Sequence, residues 1–534
     1  MKIIILIEIK EKIYKMKHYF FLIFLFVALS KNTFSSIRYV TPSGAGALDG
    51  SSWANAYASA SLQVAVDLSV AGDEVWVASG TYFTTASADR TIAFSMRNGV
   101  SIYGSFSGTE TLVSQRVLTN GLTSILSGEI GVLGIADNSY HTISNSALDT
   151  TAIIDGFVIQ DANDDRQASL NEGLGGGIYN DGSNPGSFCS PTIRNCVITS
   201  NQAVFGAGIF NNGYNGGNAS PRIYNCVIAN NIATTGGGGM DNFGLLNGNA
   251  SPTINNCVFY NNSATQRAGA MYCWGGNNGN TNPTVINTTF VNNSAIDGGA
   301  IVSDQTNSFG GNSGNSNPNF RNCIFSGNTA SGIGPQFFIL GVATFVATYT
   351  NIDTTAQVIP HVISGAGTGN ISTSPLFTNS LLGAGTDGNW ITADDGLQLQ
   401  SNSPCIDAGD TNAVAMIDIL SQNRIFNLST DMGAYEFNST TTFVLKNNKL
   451  NNTVFVYPNP TSDAVNILFT MLETENVIVY LSDINGRLIN TIEKGVIEKG
   501  NHNYQIDISE LEKGVYLLNI NSDKGKQIRK FVKN

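Results

Sequence analysis

Ser190-Pro-Thr-Ile-Arg-Asn-Cys-Val-Ile-Thr-Ser-Asn201 is followed by SPRIYNCVIANN from Ser220, SPTINNCVFYNN from Ser251, NPTVINTTFVNN from Asn282 and NPNFRNCIFSGN from Asn317. The prolines at 191, 221, 252, 283 and 318 set steps of 30, 31, 31 and 35 residues. A second phrase keeps the same period: GGGIYN ends at Asn180, GAGIFN at Asn211 and GGGMDN at Asn242, then GAMYCW and GGAIVS follow. A unit of this length cannot bury its own apolar face, so recurrence at fixed spacing predicts a solenoid of stacked coils.

Alternation along the repeated strands sorts their side chains. Ile178, Ile209, Met240, Met271 and Ile301 form one inward row, and Tyr179, Phe210, Asp241, Tyr272 and Val302 point the other way. Asn180, Asn211 and Asn242 complete the phrase at a turn, where stacked amides can bond the coils above and below. Cys196, Cys226, Cys257 and Cys323 occupy one repeat position, which Thr288 takes in the fourth copy. Parallel stacked side chains give poor disulfide geometry, so these cysteines read as reduced packing residues. Cys189, Cys273 and Cys405 lie off that ladder. Gly/Asn-rich excursions at 181–188, 212–219, 243–250, 274–281 and 306–317 recur at one coil position and so share a face.

Composition agrees with an all-β chain. Charged residues make up 12% of 534, and 57 glycines suit turns between short strands. A net charge of −12 with a non-basic middle excludes nucleic acid as a partner, because phosphate recognition needs clustered Lys and Arg. Lys15 and Lys17, an apolar run over 19–29 and Ala28-Leu29-Ser30 predict a secretory signal peptide over 1–36, with Met16 as an alternative start. An amphipathic helix over 59–70 is expected to cap the first coil, followed by a strand at 73–78 with Gly80-Thr-Tyr82 as its turn.

The paired NC-V/I-F/I-x-x-N and GG-A/G-I phrases resemble right-handed parallel β-helix repeats of secreted bacterial surface proteins. Phe259-Tyr-Asn-Asn262, Phe290-Val-Asn-Asn293, Phe325-Ser-Gly-Asn328 and Gly298-Gly-Ala-Ile301 are similar to the tetrapeptides of chlamydial polymorphic membrane proteins. Ser403-Pro-Cys-Ile-Asp-Ala-Gly-Asp410 and Asp431-Met-Gly-Ala-Tyr-Glu436 resemble the closing segment of choice-of-anchor β-helix proteins. The resemblance implies a pectate-lyase-like solenoid over 37–437, with its regular repeats at 175–330.

A polar linker at 438–453 leads to a unit at 454–534 with alternating strands and hairpin turns at Asn485-Gly486 and Lys524-Gly525. Its size and pattern predict a small β-sandwich. Tyr457-Pro-Asn-Pro460, Leu481-Ser-Asp-Ile-Asn-Gly-Arg-Leu488, Lys513-Gly-Val-Tyr516 and Lys530-Phe-Val-Lys533 resemble the type A sorting domain of the type IX secretion system. That resemblance picks out Pro458, Asn459, Pro460, Asp483, Gly486, Gly514, Tyr516, Lys530, Val532 and Lys533. It implies the secretion machinery as partner, a Gram-negative Bacteroidota host, passage through both membranes, and a cell-surface or secreted destination.

Parallel β-helices include polysaccharide lyases and hydrolases, whose chemistry needs a defined set of carboxylates and bases. Asp161, Asp164, Asp165 and Arg166 supply the carboxylates and base that Ca²⁺-dependent lyase chemistry requires; the plainer reading is a polar turn with a local ion pair. The repeat strands carry almost no Asp or Glu for a hydrolase pair, and His141 and His361 have no sequence partner. Asp387, Asp394 and Asp395 in a Gly-rich loop could hold Ca²⁺, with Asx turns as the alternative. Tyr179, Phe210, Tyr272 and Trp274 could stack on sugars or pack beneath the loops. The leading expectation is a non-catalytic adhesin or glycan-binding scaffold whose partner is an extracellular glycan or surface protein. A polysaccharide lyase or glycoside hydrolase is the alternative.

Overall fold

The period of 30 to 31 residues arises because each coil is four short strands joined by corners that few residue types can turn. In the computed structural model, one coil runs through Thr192–Arg194, Val197–Thr199, Gln202–Phe205 and Ile209–Asn212 before the loop to the next coil. Corresponding strands pair in parallel and in register, Ile193 with Ile223 and Ile209 with Met240. They build four sheets, here sheets 1 to 4 in coil order, of ten, nine, six and seven strands. This is the right-handed parallel β-helix expected from the repeats. The structure describes residues 35–167, 172–306, 314–341, 343, 345–352, 368–411, 417–425, 429–437, 454–471, 473–483, 487–522 and 525–534. All but the end of the signal-peptide reading, the linker, His361 and Gly486 lie outside them.

The corners explain the Asn-rich spelling. Asn195, Asn225, Asn256, Asn287 and Asn322 turn sheet 1 into sheet 2 with φ between 49° and 54°. That left-handed region is costly for most residues and tolerated by Asn. Gly206, Gly237 and Gly298 take the same conformation at the corner before sheet 4.

Inside, the rows stack as expected. The Ile178 row and the four ladder cysteines are fully enclosed, and Phe259, Phe290 and Phe325 stack with centroids 4.8 and 4.6 Å apart. All seven cysteines are free and buried, the four of the ladder and the three off it alike. Two asparagine ladders run through the interior. Asn145, Asn180, Asn211 and Asn242 pass one amide bond per coil at 2.8–3.0 Å; they sit within strands rather than at a turn. Asn201, Asn231, Asn262, Asn293 and Asn328 form the second ladder.

Asn262 shows why these amides are indispensable. Its Nδ2 donates to Asn293 Oδ1 and to the Ile228 carbonyl, and its Oδ1 accepts from the backbone N–H and side chain of Asn231. Asn262→Ala strands these groups where water cannot reach, each at roughly 1–3 kcal/mol. The expected loss of about 3 kcal/mol or more should appear as a lower denaturant midpoint.

The ends depart from regularity. Leu62–Asp67 is a single short helix whose Leu62, Ala65 and Val66 cover the first coil, and Gly80–Phe83 is a strand of sheet 2 rather than a turn. The described residues between 368 and 437 do not extend the coils, apart from a bridge between Asn351 and Ile371. They lie along the outside of sheet 2, where Phe377, Trp390, Leu399, Met432 and Tyr435 pack on Val227, Val258, Tyr260 and Ile324. A second core thus forms outside the solenoid wall. The described residues between 454 and 534 form two antiparallel sheets of three and four strands around Val465, Ile467, Val479, Leu518 and Phe531.

Candidate functional site

The carboxylates of the early loop do not converge. Asp164 is fully buried on its strand; its two oxygens take Arg166 Nε and Nη2 at 2.7 and 2.8 Å, and Oδ2 also accepts from the Leu174 amide. Asp165 instead pairs with Arg90 at 2.9 Å, and Asp161 accepts from Ser127 and Gln160. Arg166 and Arg90 both lie over the Tyr140 ring, 4.1 and 4.5 Å from its centroid. Two of these carboxylates, Asp164 and Asp165, form ion pairs and Asp161 accepts from neutral side chains, so each holds a different partner.

His141 gains neighbours that the sequence did not suggest. Its Nδ1 lies 2.6 Å from the Gly175 carbonyl and its Nε2 3.4 Å from Arg166 Nη2, and its ring stacks on Tyr179. A carbonyl requires a donor at Nδ1 and a guanidinium requires an acceptor at Nε2, which is the neutral tautomer. Burial lowers its pKa in the same direction. The residues that meet it belong to coils 25 to 38 positions away.

The outward aromatic row on sheet 4 is covered. Tyr179, Phe210 and Tyr272 are nearly buried. Phe205, Leu174 and Phe243 enclose the first two. Tyr272 donates to Asp304 at 2.8 Å, with Arg267 Nη1 3.6 Å from the same carboxylate oxygen. Asp241, between Phe210 and Tyr272, is held well above the usual carboxylate range by burial and by Asp304. Beside this closed row runs a second one that is only half-buried. Phe243 stands 5.6 Å from Tyr214 in a stacked pair and 5.3 Å from Trp274 edge-on.

The excursion loops behind these rings are not independent. Phe188, Asn218, Asn249, Asn280 and Asn315 bridge in succession, and the amides of Asn218, Asn249, Asn280 and Asn315 donate to Gly182, Gly217, Gly248 and Gly279. Side chains continue the pattern: Asn249 Nδ2 donates to Asn218 Oδ1 at 2.8 Å, and Asn315 Nδ2 to Asn280 Oδ1 at 2.9 Å. The loop face is therefore a hydrogen-bonded wall, fixed before any ligand arrives.

The proposed Ca²⁺ ligands are spent on turns. Asp394 accepts from Thr386, Asp387 and Thr392, which draw its carboxyl down to about 2, while Asp387 caps Asn389. Asp395 is enclosed and accepts from Ile391, Thr392 and Tyr435, with burial pushing it up to about 7. Neighbours in sequence, the two aspartates share the Thr392 hydroxyl, but Asp394 otherwise serves the exposed turn and Asp395 the buried Tyr435. No group of three or more His, Cys, Asp or Glu suited to a metal occurs among the described residues. A cavity of about 510 Å³ does adjoin this turn, lined by Thr378, Asn379, Gln398 and Phe437 among others.

In the last unit, motifs far apart in sequence meet. Asp483, Tyr516 and Phe531 share one row across three strands. Gly514 opens its strand opposite Lys533, and Tyr516 Oη donates to the Glu512 carbonyl. Asn459 brackets the final strand: its Nδ2 donates to the Lys530 carbonyl at 3.0 Å and its Oδ1 accepts the Val532 N–H at 2.9 Å. Lys533 is buried, its Nζ donating to the carbonyls of Ile508, Ser509 and Leu511.

The secretion-system C-terminal sorting domain family matches residues 455–534, the same strands and motifs just described. No curated protein matches the chain. The molecule is thus a secreted parallel β-helix carrying a type IX sorting domain, addressed to that export machinery and to the cell surface or medium.

Proposed function

We propose that the exported solenoid is a non-catalytic glycan-binding scaffold of adhesin type, and that it binds along the rim formed by Tyr214, Phe243 and Trp274. The observation that carries this reading is the hydrogen-bonded loop wall, which presents three half-buried rings and a line of Asn amides on successive coils. Aromatic faces supply rigid contact area, and side-chain amides match sugar hydroxyls. A wall fixed in advance loses little entropy on binding. The enzymatic alternative has less support, because Asp164 and Arg166 already satisfy each other and both Asp161 and Asp165 face elsewhere.

Residues 37–437 with Tyr214→Ala and Trp274→Ala should lose glycan-array signal. Each ring removed should weaken binding about tenfold, roughly 1.4 kcal/mol. Melting should be little changed for Tyr214→Ala, whereas Trp274→Ala should also cost some stability because its ring stacks on Tyr272. Unaltered glycan binding by both variants would place the site elsewhere. Depolymerisation of pectin or alginate, abolished by Asp164→Asn, would replace this reading with the enzymatic one.

A further inference from the structure

We propose, on the reading of the Tyr214, Phe243 and Trp274 rim as a glycan site, that its ligand is an uncharged polysaccharide. The glycan lies extended along the solenoid axis, with one sugar on each coil. The three loops that carry the rings are themselves uncharged: residues 212–219, 243–250 and 274–281 contain no Asp, Glu, Lys, Arg or His. Asparagine and glycine fill most of those positions.

An acidic sugar would find no counter-charge there. Its carboxylate is held by Arg or Lys, or through Ca²⁺ by carboxylates of the protein. Arg267 is the one cation between residues 223 and 320, and it is spent on Asp304 at 3.6 Å and the Tyr272 hydroxyl at 3.4 Å. The loops supply no carboxylate for a bridging cation. A net charge of −12 also repels a polyanion before contact. Neutral hydroxyls meet neither obstacle. Asn215, Asn247 and Asn278 are exposed on these same loops, and each carboxamide offers a hydroxyl both a donor and an acceptor.

Spacing sets the form of the glycan. Phe243 and Trp274 are register partners on adjacent strands, their centroids 5.3 Å apart, and Tyr214 from the preceding coil is 5.6 Å from Phe243. Parallel strands stack about 4.8 Å apart, near the length of one pyranose in an extended chain. A glycan following the axis therefore meets an equivalent loop at each sugar, whereas a helical one leaves this line after its first units. The loops hold the line straight. The Asn215 N–H donates to the Leu245 carbonyl and the Asn247 N–H to the Asn277 carbonyl, at 3.0 and 3.1 Å. Their backbones pack so closely that a side chain at Gly213 or Gly248 would collide with the neighbouring loop. Equal subsites fixed in advance favour a polymer over a single sugar, since each further unit binds without new ordering cost.

The test is calorimetric titration of the full chain at low and high salt. The probes are β-1,4-linked glucose, mannose and xylose oligomers, α-1,4-linked glucose oligomers and oligogalacturonate. At least one β-linked series should tighten with each added sugar up to three, one per loop, then level off, and salt should leave it unchanged. The α-linked and galacturonate series should bind at least tenfold more weakly. Galacturonate binding that exceeds every neutral series, weakens with salt and is lost in Trp274→Ala would overturn the uncharged assignment and leave the rim as the site. Equal binding of α- and β-linked glucose oligomers, lost in the same variant, would overturn the extended form. Absence of binding by every β-linked series would overturn both. Binding of a β-linked series that survives Tyr214→Ala and Trp274→Ala would instead remove the rim itself as the glycan site.

Discussion

Arg424→Ala is expected to detach the closing segment from the solenoid at a cost of about 3–5 kcal/mol. Arg424 is fully buried, with Nη1 3.3 Å from Glu436 Oε2 and Nη2 donating to Asn256 Oδ1 and the Ala434 carbonyl at 2.9 Å. Asn256 is itself the end of a corner ladder that runs back through Asn225 and Asn195 to Asp155. One guanidinium therefore ties the second core to the coil corners. Glu436 is pushed up to about 9 by burial even with the arginine beside it, so its carboxyl can answer the loss by keeping a proton. The cost then falls on two stranded acceptors, Asn256 Oδ1 and the Ala434 carbonyl, each worth roughly 1–3 kcal/mol when left buried and unpaired. Hydrogen exchange should rise across residues 405–437 while the coils at 190–330 stay protected, and Val258 and Tyr260 should become accessible to an apolar dye. Arg424→Lys should fall between wild type and alanine, because an ammonium cannot hold this forked set. A single transition in which coils and segment melt together would mean that the second core is integral to the solenoid.

Much of this architecture was readable because the repeat states it several times. The inward rows follow from alternation, and the cysteine ladder from one position recurring on stacked coils. The asparagine before each ladder Cys or Thr recurs in the repeated string, but its role at a corner is given only by its left-handed geometry. The second core had a signal that was not used: Val197, Val227, Val258 and Ile324 are apolar at positions that alternation points outward, which marks a covered face. His141 could not be placed, since it touches Arg166 and Gly175 only once the coils stack. The aromatic row was found by its spacing, but covered Tyr272 and half-buried Trp274 stand two residues apart on one strand. Which of them meets solvent depends on the loop wall and neighbouring coils, and periodicity does not encode those contacts. The sorting motifs were recognisable as strings; that Asn459 clasps Lys530 and Val532 is a tertiary fact.

Between pH 5 and pH 8.5 the closing segment should lose stability as the pH rises, the reverse of ordinary acid denaturation. Burial pushes Asp431 up to about 6, Asp395 to about 7 and Glu436 to about 9, and raises Asp418 as well. All four lie in or beside the second core. An acid whose folded pKa is raised binds more protons folded than unfolded, so its stabilising contribution is complete below the unfolded value near 4 and disappears as pH climbs through the folded one. Each proton retained only by the folded state gives a slope of up to about 1.4 kcal/mol per pH unit. Asp73, which is lowered, works the other way and matters only below the carboxylate range, so it leaves this window untouched. Trp390 reports the event directly: it packs in the second core with its ring 5.2 Å from Tyr260. Its emission, isolated by difference against Trp390→Phe, should show a denaturant midpoint that falls steadily across the window. Asp395→Asn, which imitates the protonated carboxyl, should remove the part of the decline centred near pH 7 and leave the rest. A level midpoint from pH 5 to 8.5 would show that these carboxyls ionise without loosening the segment, and the solenoid's outer wall would then remain covered throughout.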